Sequence, residues 1–292
     1  MQRHASAALL AVALVGACGP GDAPAPGPVI DDAGRAVRLA GAAQRVVSLS
    51  PSTTELLFAI GAGDRVVGRT RWCADPPETA TVPSVGDGLD PNVEMIVAQR
   101  PDLVVFYHSG MNAAAIEQLE QLGIATASVR LDGLADLSRA ALLLGRLTGD
   151  SARADTLVRA FERELAAVSA VPSDDRPSVL LLAWDNPPIV IGGASFLSEI
   201  VDRAGARNAF ADLEQPSGSV SLEAIAARNP DVVLLTEGGG EPAFARRPEW
   251  RVVEAVGAGR FVAVGGSHFA HPSFRAARAI AELRAALEAW RR

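Results

Sequence analysis

Asn92-Val-Glu-Met-Ile-Val-Ala-Gln-Arg-Pro-Asp-Leu-Val-Val-Phe106 returns further along the chain as Ser221-Leu-Glu-Ala-Ile-Ala-Ala-Arg-Asn-Pro-Asp-Val-Val-Leu-Leu235. Without a gap, Glu94 falls on Glu223, Ile96 on Ile225, Ala98 on Ala227, Pro101 on Pro230, Asp102 on Asp231 and Val104 on Val233. Each copy reads as a short amphipathic helix, apolar at 93, 96 and 97 or at 222, 225 and 226. A Pro-Asp break and an apolar strand follow in both. A second pair occurs in the same order. Glu55 to Gly61 and Glu199 to Gly205 both read as helices closed by a glycine cap. Two similar halves predict two similar lobes, and two lobes predict a cleft between them.

Working outward, Arg45 to Leu49 reads as a strand, and Ser50-Pro-Ser-Thr-Thr supplies helix caps and a first-turn proline for a helix through Ile60. Strands follow at Arg65 to Gly68, Asp102 to Tyr107 and Ile124 to Val129, with helices at Asn112 to Leu122 and Asp136 to Thr148. This alternation predicts a parallel sheet covered by helices, with the working loops at the strand carboxyl ends. Asp150 to Val171 contains neither Gly nor Pro and carries apolar residues at helical spacing (Leu157, Val158, Phe161, Leu165, Val168). It is expected to be one long helix crossing between lobes. The second lobe opens with the apolar strand Ser178 to Trp184 and ends with a strand at Arg260 to Val264 and a helix from Phe274 to Arg291. The expected fold class is α/β, with two Rossmann-like lobes joined by a single long helix and a ligand cleft between them. The expected divisions are a signal segment (1–17), a tether and entry (18–43), an N-terminal lobe (44–148), the connecting helix (149–172) and a C-terminal lobe (173–292).

The first residues predict where the protein works. Met1-Gln-Arg-His carries positive charge, and Ala5 to Ala17 is a nearly uninterrupted apolar stretch. That is a signal-peptide core, too short to span a bilayer as a helix. It ends at Val15-Gly-Ala-Cys18, which resembles the lipobox of bacterial lipoproteins. The resemblance implies cleavage before Cys18, lipidation of its sulfur, and anchoring in the periplasm or at the outer face of the cytoplasmic membrane. Gly19 to Pro28 is rich in proline and glycine and is expected to be an extended tether. With Cys18 lipidated, Cys73 has no partner in the chain, so no disulfide is expected. The formal net charge is −7. An acidic chain without basic runs is not expected to bind nucleic acid. It contains no lysine, so every basic side chain other than histidine is an arginine.

Over residues 44–290 the sequence resembles the periplasmic binding proteins of ABC importers for vitamin B12, haem and ferric siderophores. The residues that carry the resemblance are Arg45 to Glu55, Asp75-Pro-Pro77, Val85-Gly-Asp87 with Glu94 to Val105, Asn186-Pro-Pro188, Gly192 to Phe196 and Val220 to Glu223. Trp72 to Pro77 and Trp184 to Pro188 resemble the B12-binding branch most. The resemblance implies a carrier that is not an enzyme, with no catalytic cofactor. It also implies a corrinoid (cobalamin-like) cargo, with haem or a ferric siderophore as alternatives, and a monomer that delivers its ligand to an ABC permease dimer with its ATPase. Glu94 and Glu223 match positions that pair with permease arginines, and carboxylate–guanidinium pairs are bidentate and directional. Glu55 and Glu199 also pair by the internal repeat, but the family match favours the other two.

The predicted ligand-binding residues are Trp72, Tyr107, His108, Trp184, His268, Phe269 and His271. The three histidines beyond the signal segment all follow predicted strands, and a flat macrocycle suits aromatic faces plus an axial imidazole. His271 and His268 are the candidate axial ligands, with no free metal ion expected. Trp72 and Tyr107 match aromatic pocket positions of the B12 branch, and Arg275 matches a position near the pocket. Gly88 and Ser217 stand where that branch has aromatics, and Ser267 and His271 where it has an acid and an arginine. Trp250 is expected at the surface or rim. Two readings of another class stay open: a metal-ion carrier using the histidines with Asp75 or Asp185, and a ligand-sensing lipoprotein without a permease. An enzyme is disfavoured, because Gly61-Ala-Gly63 and Gly257-Ala-Gly259 lack the third glycine of a dinucleotide loop, and no Gly-x-Ser-x-Gly occurs.

Overall fold

A strand hairpin opens the described residues: β1 (Val29–Ile30) pairs antiparallel with β2 (Ala36–Val37). The structure, a computed structural model, describes residues 28–168, 176–236 and 240–292. The predicted signal segment, Cys18, most of the tether and the end of the predicted connecting helix lie outside the described residues.

The N-terminal half runs β3 (Val46–Ser48), α1 (Pro51–Ala59), β4 (Val66–Arg69), α2 (Val93–Ala98), β5 (Leu103–Tyr107), α3 (Ala113–Gln121), β6 (Ala125–Val129) and α4 (Leu134–Thr148). Its sheet has the order β4-β3-β5-β6 and is parallel throughout. β3 and the first four residues of β5 are fully buried, as strands covered on both faces must be. Ser50 caps α1, accepting the Thr53 N–H at 3.2 Å, with Pro51 in the first helical position.

The helix α5 (Ser151–Ala167) packs against α4 and leads into the C-terminal half. There follow β7 (Ser178–Asp185), β8 (Pro188–Ile191), α6 (Phe196–Arg203), β9 (Arg207–Asn208), β10 (Ser217–Ser219), α7 (Leu222–Arg228), β11 (Val232–Leu235), α8 (Glu254–Gly257), β12 (Phe261–Ala263), α9 (Ser267–Ala270) and α10 (Ala276–Trp290). β7, β11 and β12 are parallel neighbours, and β9 runs parallel along the start of β7. β8 folds back antiparallel onto β7 and carries antiparallel β10 on its outer edge. This sheet is therefore mixed, and the sequence reading anticipated only its parallel strands.

The internal repeat is visible atom by atom. Asn92 and Ser221 cap α2 and α7 by accepting the N–H of Met95 and Ala224 at 3.0 and 3.2 Å. Arg100 and Asn229, superposed by the repeat, have φ of 49° and 43°, the two positive values among described non-glycine residues. Each breaks its helix just before the Pro-Asp pair. Asp102 then accepts the N–H groups of Gln44 and Arg45 ahead of β3. Asp231 accepts the Ser178 N–H at the start of β7 at 2.7 Å. The same carboxylate thus ties the repeat to the opening strand of each lobe.

Three apolar clusters make the interior. One lies on the outer side of the N-terminal sheet, around Ile96, Phe106 and Leu119. A second fills the outer side of the C-terminal sheet, around Ile225, Phe244 and Trp250. The largest runs without interruption from α1 and α4 through Val158 and Phe161 of α5 to α6 and α10. Phe161 meets Phe274 with ring centroids 4.5 Å apart. The two lobes therefore share one core along their helical side.

Candidate functional site

Every strand of the N-terminal sheet delivers residues to one cavity at its carboxyl end. β3 is followed by Leu49 to Ser52, β4 by Thr70 and Trp72, β5 ends at Tyr107, and β6 is followed by Leu131 and Asp132. The opposite wall comes from the C-terminal half: Ala183 of β7, Ser195 and Phe196 after β8, Ser217 of β10, and Ala270 to Pro272 after α9. The cavity, about 430 Å³, lies between the lobes. Parallel α/β sheets place ligands at this end because the loops there converge.

Its chemistry is set by a few groups. Trp72 is 64% exposed, and the ring face away from Arg71 is open to a ligand. Its indole N–H donates to Asp87 at 3.2 Å, and Arg71 donates to the same oxygen at 2.8 Å. The Arg71 guanidinium, then the Leu89 N–H and the Trp72 indole, hold the Asp87 carboxyl well below the usual carboxylate range. Arg71 also sits over the Trp72 ring, 5.4 Å from its centroid. On the next strand, the Tyr107 hydroxyl donates to Asp132 at 2.5 Å. Burial, and then Asp132, push the Tyr107 phenol up, so it stays protonated at neutral pH. A side chain at Gly88 is sterically impossible here, because a Cβ would lie 2.2 Å from the Leu49 carbonyl oxygen. The 86–89 loop approaches the end of β3 closely, which explains a glycine where the B12 branch has an aromatic.

His271 forms part of the wall and is tied to the other lobe. Its Nε2 lies 3.1 Å from Glu55 Oε2 on α1. Ser273 donates to Glu55 Oε1 at 2.6 Å, and Arg275 reaches the same carboxylate at 3.3 Å. Burial alone would raise the Glu55 pKa, but the hydrogen bonds from His271 and Ser273 and the Arg275 charge outweigh it and hold Glu55 ionised. Arg275 is further held by Ser267 at 2.8 Å and lies 3.5 Å from Asp75. Its repeat mate behaves alike: Glu199 on α6 crosses to accept the Leu134 N–H of α4 at 2.9 Å.

Of the predicted site residues, the structure brings Trp72, Tyr107 and His271 into this cavity, together with Gly88 and Ser217. It does not bring His268, Phe269, Trp184 or His108 there. His268 is buried, with Nε2 bonded to Glu282 of α10 at 2.7 Å, because α9 turns it back towards that helix. Phe269 belongs to the shared core. Trp184, 60% exposed, lines with Phe269 a neighbouring apolar recess of about 470 Å³. His108 is half-buried just past β5 and lines neither cavity. The three histidines are thus dispersed. Trp250 corrects its expectation: it is 1% exposed, packed on Phe244 at 4.6 Å, because a tight turn at Pro248–Val252 folds it beneath the C-terminal sheet. Glu94 and Glu223 are both exposed, each in the first turn of its helix. The Ser221 hydroxyl lowers the Glu223 pKa.

Asp87 and Asp132 were not singled out by sequence reasoning. Asp132 follows the end of β6, which is the one signal that could have found it, whereas Asp87 was quoted only within the Val85-Gly-Asp87 stretch.

The sequence matches the periplasmic binding protein family over residues 46–267. The chain belongs to that family. It is 33% identical over 223 residues to the ABC transporter substrate-binding lipoprotein YvrC of Bacillus subtilis, covering 73% of this chain and 70% of that one. It is 32% identical over 204 residues to the vitamin B12-binding protein of Salmonella typhimurium, covering 68% of this chain and 75% of that one. Among solved structures, the periplasmic haem-binding protein RhuT of Roseiflexus superposes with a TM-score of 0.76 at 25% identity, covering 86% of this chain and all of that one. This family member therefore shares its two-lobed α/β architecture with carriers of different macrocycles, and the cavity lining has to discriminate among them.

Proposed function

We propose that this protein is an extracytoplasmic binding lipoprotein that captures a corrinoid in the inter-lobe cleft and delivers it to an ABC importer. The observation that carries the choice of ligand is the charge of the lining. Among the described residues the cavity is lined by Asp87, Asp132 and His271 but by no arginine. Two guanidinium groups close to the lining are already paired, Arg71 with Asp87 and Arg275 with Glu55. Haem propionates or an anionic iron chelate would be desolvated there without a cationic partner, which is costly. A corrinoid is fringed by neutral amides, whose N–H groups suit Asp87 and Asp132 and whose carbonyls suit Ser50 and Ser217. Tyr107, held protonated, acts as a hydrogen-bonding and packing group and does not supply a tyrosinate to iron. Trp72 offers an aromatic face to the macrocycle.

The anchor is Cys18, and Glu94 and Glu223 are the groups that meet the permease. The relatives named for vitamin B12 binding and ABC transport support this reading. Calorimetry with cyanocobalamin, haemin and a ferric hydroxamate tests it. Heat is expected with cyanocobalamin, weakened about 10- to 100-fold in Trp72→Ala, in the range that loss of one aromatic contact of about 1–3 kcal/mol produces. Binding of haemin in preference to cyanocobalamin would overturn the choice of cargo.

A further inference from the structure

We propose that Asp87 is a specificity-determining residue of the cleft: by engaging Arg71 beside Trp72 it turns the cavity mouth against anionic macrocycles and in favour of neutral ones. This rests on the corrinoid reading of the cleft and names the residue that enforces it.

Asp87 lines the cavity together with Trp72. Its carboxylate takes three donors. Oδ2 accepts from the Arg71 guanidinium at 2.8 Å and from the Trp72 indole N–H at 3.2 Å, and Oδ1 accepts from the Leu89 N–H at 3.1 Å. The backbone fixes where that carboxylate stands. The Arg71 N–H donates to the Gly86 carbonyl oxygen at 3.0 Å, and Gly88 lies against the Leu49 carbonyl, too close for any Cβ. The loop that carries Asp87 is thus bound to the segment that carries Arg71 and Trp72.

The consequence is one of charge. Arg71 does not itself line the cavity, but its guanidinium lies 2.8 Å from a lining carboxylate and 5.4 Å from the centroid of a lining ring. Its side chain is 61% exposed, so burial does not hold it in place and the pair with Asp87 does. Released, an arginine at the mouth is a ready partner for a ligand carboxylate, because guanidinium–carboxylate pairs are directional and charge-assisted. Engaged, it is neutralised, and an incoming anion meets the carboxyl groups of Asp87 and Asp132 in the lining. Specificity of this kind comes from an unfavourable contact with the wrong ligand as much as from a good one with the right ligand. The oxygen that neutralises the cation also receives the Trp72 indole, so the aromatic face is presented without an accompanying free charge.

The test is the order of preference between two probes, cyanocobalamin and haemin, measured by calorimetry on the wild-type protein and on Asp87→Asn. The amide keeps the size of the side chain and an acceptor for the indole, and gives up the charge. Cyanocobalamin is expected to bind about 3- to 10-fold more weakly, the scale of one hydrogen bond. Haemin is expected to bind about 3- to 5-fold more tightly, the scale of one partly exposed ion pair between a propionate and the released Arg71. Damage to the fold would weaken both, so a merely structural role does not produce opposite shifts. The haemin gain should vanish when Arg71→Ala is added, and should shrink at high salt. Asp87→Ser, which still offers an acceptor to the Leu89 N–H, repeats the measurement with a smaller side chain. Haemin binding that is unchanged or weaker in both Asp87 variants overturns the proposal, as does a gain that survives Arg71→Ala, and either result leaves the corrinoid reading intact. Preference of the wild-type protein for haemin over cyanocobalamin overturns that reading, and this inference with it.

Discussion

A single residue in each half bears the strain of the repeat. Arg100 and Asn229 hold left-handed backbone at equivalent positions, with φ of 49° and 43°. Asparagine tolerates that conformation, whereas arginine carries a Cβ clash worth about 1–2 kcal/mol. The chain accepts the cost because the turn aims Pro101-Asp102 so that the carboxylate reaches the Gln44 and Arg45 N–H groups. Among the described residues no hydrogen bond or ion pair uses the Arg100 side chain, while its carbonyl oxygen accepts from Arg45. Arg100→Asn is therefore expected to raise stability by about 0.5–1 kcal/mol, a fraction of the αL penalty. Urea denaturation checks it: the midpoint should rise with the slope unchanged. Asp102→Ala should act in the opposite sense, because it leaves two N–H groups without their partner.

At the scale of elements, the two lobes are joined by side chains reaching from a helix of one half to the other. Glu55 leaves α1 for the segment before α10, and Glu199 leaves α6 for the start of α4. The Glu55 junction also contains Arg275 and Asp75, with side chains 37% and 29% exposed. Because the folded protein holds Glu55 below its ordinary pKa of 4.5, its contribution is fully present above that value. It is lost as the pH falls through the folded value. The stability difference between wild type and Glu55→Gln should therefore be constant near neutrality and shrink below about pH 4.5, as urea melts across that range would record. A difference that grows on acidification would contradict the assignment. The repeat glutamates were legible in the sequence as a pair, but their destination was not, because helical periodicity gives a face and no neighbour. The same division holds elsewhere. Strand ends that line the cavity were legible from the apolar runs closed by Ser50, Trp72 and Tyr107. β8 and β10 were not, since Pro188 and Gly218 read as loop residues. Position after a strand marked His268 and His271 alike, and only the turn of α9 separates the buried residue from the one in the cleft wall. Trp250 was obscured by the charged residues on either side of it.

At the scale of the molecule, the shared core decides how the carrier presents itself to a partner. A cluster that runs unbroken from α1 and α4 through α5 to α6 and α10 resists hinge opening, because separating the lobes would expose its apolar side chains to water. The spacing between corresponding points of the two halves is therefore expected to be nearly the same with and without cargo. Glu94 and Glu223 are such a pair, exposed at the first turns of α2 and α7 and related by the repeat. In the docking proposed above, two carboxylates held at fixed separation suit the arginines of a twofold-symmetric permease, and pairing at both sites would gain from effective concentration what neither exposed contact supplies alone. Reversing one charge is accordingly expected to weaken uptake in part, and Glu94→Arg with Glu223→Arg to abolish it. Calorimetric affinity for the cargo should be unchanged in all three variants, since neither residue lines the cavity. Uptake into cells that carry the double variant and its importer is the measurement. Normal uptake would reject these glutamates as the docking groups, while lost uptake together with lost ligand binding would place their role in folding.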